Sequence, residues 1–505
     1  MHLSLYHLER FLFSAMIVAL PLEVIPKRFA IPFVGQNLPM AFLFLTLLIV
    51  VTEGIKKKNL NIPHKKFFTA FLLWPVICLV IGSILYPYPV TDLDLGEGKG
   101  VRMVMMLFPS AMDLEGPRHI FLFIIFLWHI VKTLFIPLVG IFFIVWHLYG
   151  HNTRTAMKDV SRAAFILAVL CSLYSIPEIL WLITGHDMWA SILTNINPWL
   201  YDPASAHGWW PPLLWKGQLR SLFAEPSYFG IAATFMIPFL WKRLLGRYAI
   251  SNFLFVCWFT FMIFMTSART GIIVILGEVT LLVIFSFLYR YEQWKKMLVL
   301  VLVSTGIAFF LSAVVVPYGQ SAFAGRSGNS SLITAYVEKN ITSVAGTTER
   351  SNGVRYGSTA AALLTGLDHP VTGVGDGYEH RYLSDHVPAL FNDNGEINLW
   401  RQKLAEKGLL NSGFPNLNQY AWTFAREGLP GLLLFITPPL YVFLKLLQRR
   451  ALFQKSDMLF CTIALLGQMA VLMSNHFFIT YPVILSLMYC MVQTDTIPRK
   501  ADQNV

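Results

Sequence analysis

Apolar residues run along this chain in blocks about 20 residues long, the length that crosses ~30 Å of hydrocarbon, with short polar breaks between them. The pattern predicts twelve membrane-spanning helices, at residues 10–26, 33–52, 67–86, 119–149, 160–183, 228–245, 250–268, 270–289, 296–316, 428–447, 458–474 and 477–494. The fourth block is too long for one upright span. His129, Lys132 and Pro137 interrupt it, so an interfacial helix is expected before the crossing. The first block has no small-residue cleavage site before Glu23 and Pro26 and reads as a retained span rather than a signal peptide. The expected fold is therefore all-α, a polytopic helical membrane protein whose residues 1–505 form one integral membrane domain in the lipid bilayer.

The polar breaks supply an orientation. Lys56, Lys57, Lys58, Lys65 and Lys66 follow the second block, and Arg154, Lys158 and Arg162 follow the fourth. Lys242, Arg243 and Arg247 come next, then Arg290, Lys295 and Lys296, then Lys445, Arg449, Arg450 and Lys455, and finally Arg499 and Lys500. All of these clusters share one side if both termini are cytoplasmic, as the positive-inside rule requires. Two long polar stretches then lie on the other side, 184–227 and, between spans nine and ten, 317–427. The first holds Trp189, Trp199, Trp209, Trp210 and Trp215, which read as interfacial anchors ahead of sugar-stacking groups. The second is too long to be a mere connector. Helical patterns at 349–366 and 396–409 flank the turn Gly373-Val-Gly-Asp-Gly377, which lacks the strand and helix of a dinucleotide loop. Asn329 and Asn340 match glycosylation sequons, a pattern common by chance.

Composition narrows the classes. With 55% hydrophobic and 13% charged residues, the chain is no soluble globule, and its net charge of +11 follows from loop orientation rather than from nucleic-acid binding. Cys78, Cys171, Cys257, Cys461 and Cys490 all fall in expected spans, so neither disulfides nor a zinc site is expected.

Candidate chemistry lies where positive charge is unexpected. Arg220, Arg269, Arg326, Arg350 and Arg355 fall on the side where cations are depleted, Arg269 in the tight turn Thr266-Ser-Ala-Arg-Thr-Gly271. One reading is a snorkelling side chain. The other is an anion clamp, because guanidinium binds phosphate oxygens bidentately and nearby helix N-termini favour anions. Glu225 precedes Pro226, which suits the first position of a helix, so Glu225 is either a capping carboxylate or a general base. His369 and His476 are further candidates, read alternatively as a turn residue and a buried hydrogen-bonded histidine. His380 and His386 flank Asp385 at a spacing that fits no common metal pattern, so no metal site is expected. A transporter would instead rely on charges within the spans, here Glu178 and Glu278.

Phe223-Ala-Glu-Pro-Ser227 before a span, the Ser-Ala-Arg turn, Arg355, His369-Pro-Val-Thr-Gly-Val-Gly375 and Asn418-Gln-Tyr-Ala-Trp-Thr-Phe-Ala-Arg-Glu-Gly-Leu-Pro-Gly431 together resemble the O-antigen polymerase and O-antigen ligase superfamily, over roughly residues 215–480. The resemblance implies a metal-independent, inverting glycosyltransferase without cofactor in the bacterial inner membrane, acting at the periplasmic face. The donor would be an oligosaccharide on undecaprenyl diphosphate, and a chain-length regulator protein would be a further partner. Arg269 and Arg355, supported by Arg220, would hold the diphosphate, with Glu225 as base or positioning group. Ligases of the superfamily carry a histidine just before the Asn-x-Tyr element. Here that stretch reads Phe414-Pro-Asn-Leu-Asn418, and Glu-Pro-Ser is more typical of polymerases, so a repeat-unit polymerase is expected ahead of a ligase or a lipid-linked oligosaccharide flippase.

Overall fold

A computed structural model describes residues 5–494 apart from 32–33, 57–62, 91–94, 96–98, 112–113, 203–216, 290–292, 316, 318–331, 341, 346–349, 450–451 and 453–454. Arg326, Asn329, Trp209, Trp210, Trp215, Lys57, Lys58, Arg290, Arg450, Arg499 and Lys500 lie outside the described residues, as does the side chain of Arg350.

The described residues form helices and no named strand: α1 (Leu5–Val18), α2 (Leu38–Lys56), α3 (Lys65–Leu85), α4 (Lys99–Leu107), α5 (Glu115–Tyr149), α6 (Thr153–Thr184), α7 (Asp187–Leu200), α8 (Pro226–Arg243) and α9 (Ala249–Met265). After them come α10 (Arg269–Tyr289), α11 (Trp294–Val315), α12 (Leu332–Asn340), α13 (Arg350–Asp368), α14 (Glu379–His386), α15 (Gly395–Asn411), α16 (Gln419–Gln448), α17 (Ser456–Val471) and α18 (Thr480–Thr494). Eleven of the twelve expected spans fall on helices over most of their length, whereas the first, 10–26, is helical only as far as Val18, in α1. Seven of them, α2, α3, α5, α6, α10, α11 and α16, are long and apolar enough to cross a membrane, and α9, α17 and α18 are shorter apolar helices. The protein is a polytopic helical membrane protein.

Three local readings change. The fourth block is a single helix, α5, rather than an interfacial helix followed by a span. Its 35 residues extend about 50 Å, well beyond the hydrocarbon thickness. A π-helical stretch, Val131–Gly140, carries Lys132 and Pro137 through without a break. In the stretch 184–227, α7 is a helix with Met188, Ile192, Ile196 and Trp199 exposed along one side, the pattern of an interfacial helix. The guanidinium of Arg28 lies 4.4 Å over the Trp199 ring. Span ten starts earlier than its apolar run, at Gln419. Asn418 caps it by accepting from the Ala421 N–H at 3.1 Å, and Gly428 breaks it with φ 65°.

The main core gathers around α8. From Phe229 to Trp241 every residue of this helix is buried, against α6, α9, α10 and α17. Small residues allow the close packing. At the crossing of α8 and α10 a Cβ added to Gly271 would stand 2.8 Å from the Gly230 Cα, so the two backbones touch.

The second core joins the membrane helices to the long segment after α11. Leu79 and Leu122 of α3 and α5 pack with Ala361, Leu383, Ile397 and Trp422 from α13 to α16. That segment is seated on the bundle. The turn Gly373–Gly377 is the joint: Val374 and Gly375 donate N–H groups to the carbonyls of Ala425 and Arg426, at 2.9 and 3.0 Å. A Cβ at Gly82 of α3 would lie 2.2 Å from the Val374 carbonyl oxygen. Below the joint, Arg426 reaches Glu379 (2.7 Å from Nε) and Asp376 (3.0 Å), and His129 meets Asp376 at 2.7 Å. Burial opposes the charge on Asp376, but Arg426 and then His129 outweigh it and hold the carboxyl below its usual range.

Candidate functional site

The site stands where α8 and α10 begin. Pro226 occupies the first turn of α8, with Glu225 as the N-cap residue in extended conformation, as expected. The Glu225 side chain makes no capping hydrogen bond, and its Oε2 accepts instead from the Ser227 hydroxyl at 3.1 Å. The carboxylate is left half-buried beside the helix end rather than folded onto it.

Arg269 opens α10 and extends to the segment above it. Its Nη1 donates to the Ser343 hydroxyl at 3.4 Å and to Asn352 Oδ1 at 3.3 Å, and Asn352 in turn donates to the Ser343 carbonyl at 2.6 Å. Asn352 sits one turn before Arg355 on α13, so the contact that steadies Arg269 also places Arg355. Arg355 Nη1 donates to the Ser474 carbonyl in the turn between α17 and α18. The Ser474 hydroxyl meets the hydroxyl of Thr270, the neighbour of Arg269, at 3.3 Å. Two arginines 86 positions apart are thus held from both sides by shared neighbours. No carboxylate lies within ion-pairing distance of Arg355 among the described residues. Burial, and after it the charge of Arg269, lower the Arg355 pKa, while Glu225 and Glu396 oppose them. Arg269, Arg355 and Glu225 therefore share one electrostatic neighbourhood.

His476 borders the same place. Its ring stacks on Phe478 at 4.7 Å, and Phe478 meets Tyr228, on the first turn of α8, edge-on at 5.5 Å. The imidazole is exposed, and the protein packed around it lowers its pKa to about 4 by desolvation. It is neutral at neutral pH, an acceptor or donor of hydrogen bonds rather than a cation.

Two candidates stand elsewhere. Arg220 is 2% exposed, its guanidinium against Glu178 (3.9 Å) and the Tyr174 hydroxyl (3.3 Å). Glu178 also accepts from the backbone N–H groups of Arg220 and Ser221, each at 3.0 Å. This pair locks the turn that leads into α8 and engages the Arg220 guanidinium with Glu178 and Tyr174. Glu178 has the same locking duty, and Glu278 is buried against Gly467, between α10 and α17. His369 follows the far end of α13, 14 residues or about 21 Å along the helix from Arg355. It packs edge-on to Tyr382 at 5.3 Å, with Asp368 and His386 nearby.

One residue that sequence reasoning missed is Glu23, in the connection from α1 to α2. Tyr228 lies within electrostatic reach of both Glu225 and Glu23, and burial raises the Glu23 carboxyl to about 7. A carboxyl that titrates near neutrality suits proton transfer. It stands about 200 positions before the motifs, and only its charge within the first apolar block marked it. As for metals, Glu9, Glu53 and His147 bring one ligand atom each within 4.8 Å of one another, near the opposite ends of α1, α2 and α5.

This geometry fits an anion whose charge grows during reaction. Two guanidinium groups and two helix N-termini face one place, with carboxylates at its edge for an incoming hydroxyl.

A search of the curated proteins finds no match. Residues 253–436, from α9 to the middle of α16, match the family model described as O-antigen ligase. The matched segment contains Arg269, Arg355 and the Asn418–Gly431 motif, while Glu225 and His476 fall outside it. Over this segment the chain is similar to the O-antigen ligase family.

Proposed function

We propose that the protein is a repeat-unit polymerase that transfers a glycan from undecaprenyl diphosphate to the non-reducing end of a second lipid-linked unit, at the periplasmic face of a bacterial inner membrane. The observation that carries the reading is the double tether of Arg269 and Arg355 through Asn352, Ser474 and Thr270 at the start of α8 and α10. As the bond from sugar C1 to the diphosphate oxygen breaks, negative charge builds on the leaving group, and fixed guanidinium groups stabilise it without reorganising. The acceptor hydroxyl attacks C1 from the opposite side, which inverts the anomeric centre, and its proton passes to Glu225 or Glu23. Arg220 and Glu178 act indirectly, by fixing the turn that carries Glu225.

The stretch Phe414-Pro-Asn-Leu-Asn418 favours polymerase over ligase, because a ligase of this superfamily would present a histidine there. Purified protein given lipid-linked repeat units in detergent should lengthen the glycan and release undecaprenyl diphosphate. Transfer to lipid A core without elongation would make it a ligase. Absence of any transfer in detergent, together with movement of the lipid-linked unit across vesicles, would make it a flippase.

A further inference from the structure

At the other end of α8, about 27 Å from Glu225, the bundle encloses a second polar space. It has a volume near 740 Å³ between α1, α6 and the last turn of α8. Arg10, Lys158, Arg162, Lys242 and Arg243 line it, and Asp159 is the acidic group among its walls. Asp159 is already engaged: Arg10 holds it with two hydrogen bonds, at 2.7 and 2.8 Å, and Tyr149 donates a third at 2.8 Å. Lys242 is paired with Asp457. Lys158, Arg162 and Arg243 have no acidic partner in the cavity among the described residues. The Arg243 guanidinium lies 3.7 Å over the Phe165 ring, and its buried Nε has no hydrogen-bond partner among the described residues.

The cavity continues into an apolar track. Lys158, Arg162 and the wall residue Ile166 are spaced by one helical turn on α6, and the same side continues through Leu170 and Leu173, all exposed. A cationic recess at the end of a membrane helix, leading into an exposed apolar side of that helix, has the two-part chemistry of a lipid with an anionic head. The positive-inside rule accounts for cations at this end, but not for a cavity that gathers them over an aromatic ring and opens onto an apolar track.

We propose that this recess is a binding site for an anionic phospholipid, its phosphate held by Lys158, Arg162 and Arg243 and an acyl chain lying along Ile166, Leu170 and Leu173. The site is separate from the one proposed to carry the transfer reaction and does not depend on that assignment.

The test uses the full chain, delipidated in detergent and titrated with phosphatidylglycerol or phosphatidylcholine, with bound lipid read by native mass spectrometry. Phosphatidylglycerol should bind more tightly. Lys158→Gln with Arg162→Gln should weaken it roughly thirtyfold, at about fivefold per cation. Both side chains are exposed, so the fold is kept, which an unchanged thermal transition checks. Leu170→Gln with Leu173→Gln should weaken it as well. Equal affinity for the two lipids, or unchanged binding in the double variants, would overturn the proposal. Displacement of phosphatidylglycerol by excess inorganic phosphate, without help from an acyl chain, would overturn it too, since the recess would then be a simple anion pocket.

Discussion

Gly230 and Gly271 touch backbone to backbone: a Cβ on Gly271 would meet the Gly230 Cα at 2.8 Å, and one on Gly230 would meet the Gly271 Cα at 3.3 Å. The contact lies five residues into α8 from Glu225 and two into α10 from Arg269, so it sets the spacing between carboxylate and guanidinium. Gly271→Ala must push the helices apart against backbone atoms. Overpacking of this kind costs about 1–3 kcal/mol. A lower thermal transition in detergent and reduced glycan elongation are expected, with Gly230→Ala milder on both.

Replacing Arg269 or Arg355 by lysine keeps the charge and loses the planar fork. Each change should lower the rate of elongation by about a hundredfold, the scale of one lost transition-state donor, while the thermal transition stays in place. Because Asn352 and Ser474 tie the two arginines together, the double variant should lose less than the product of the singles. Rates from purified single and double variants check this.

Arg220 should behave differently. With the guanidinium removed, Glu178 stays buried without its cation, which typically destabilises by about 3–5 kcal/mol. Arg220→Ala is expected to show up as poor accumulation and a low melting temperature. Protein that does fold should keep much of its rate per molecule, whereas a rate collapse in well-folded Arg220→Ala would return this residue to the clamp.

The carboxylates predict a pH dependence. Burial raises Glu23 to about 7 from an unfolded value of 4.5, so the folded state favours its protonated form. That stabilisation is complete below pH 4.5 and is lost as pH rises through 7. Acceptance of a proton needs the ionised form, so elongation should climb as pH rises through 7. Glu23→Gln should flatten this limb and lower the rate about a hundredfold or more if Glu23 is the base. If only Glu225→Gln does so, the base is Glu225. His476, with its pKa near 4, should contribute no inflection between pH 5 and 8.

Much of the fold was legible because span length and hydropathy are local properties. Eleven apolar blocks became helices over most of their length, the first only as far as Val18, and the loop helices expected at 349–366 and 396–409 appear as α13 and α15. The readings that changed depend on neighbours. Pro137 interrupts a sequence pattern, but a π-helical stretch absorbs it. The start of α16 is polar because it packs under the segment that follows α11. The arginines at 269 and 355 stood out by the side of the membrane expected for them, yet Asn352 and Ser474, which hold them, are ordinary polar residues in sequence. Arg220 carried the same sign on the same side, and only the fold reveals Glu178 beneath it.

The seclusion of α8 bears on biogenesis. It is not among the helices apolar and long enough to cross a membrane on that ground, and its surface meets protein instead of lipid. One of its walls, α17, is translated more than two hundred residues later. A growing chain therefore holds the Glu-Pro-Ser turn without a finished seat until the ribosome has passed Val471. If the proposed function holds, forms that stop short of α17 should elongate no glycan, because one wall of the α8 seat is missing.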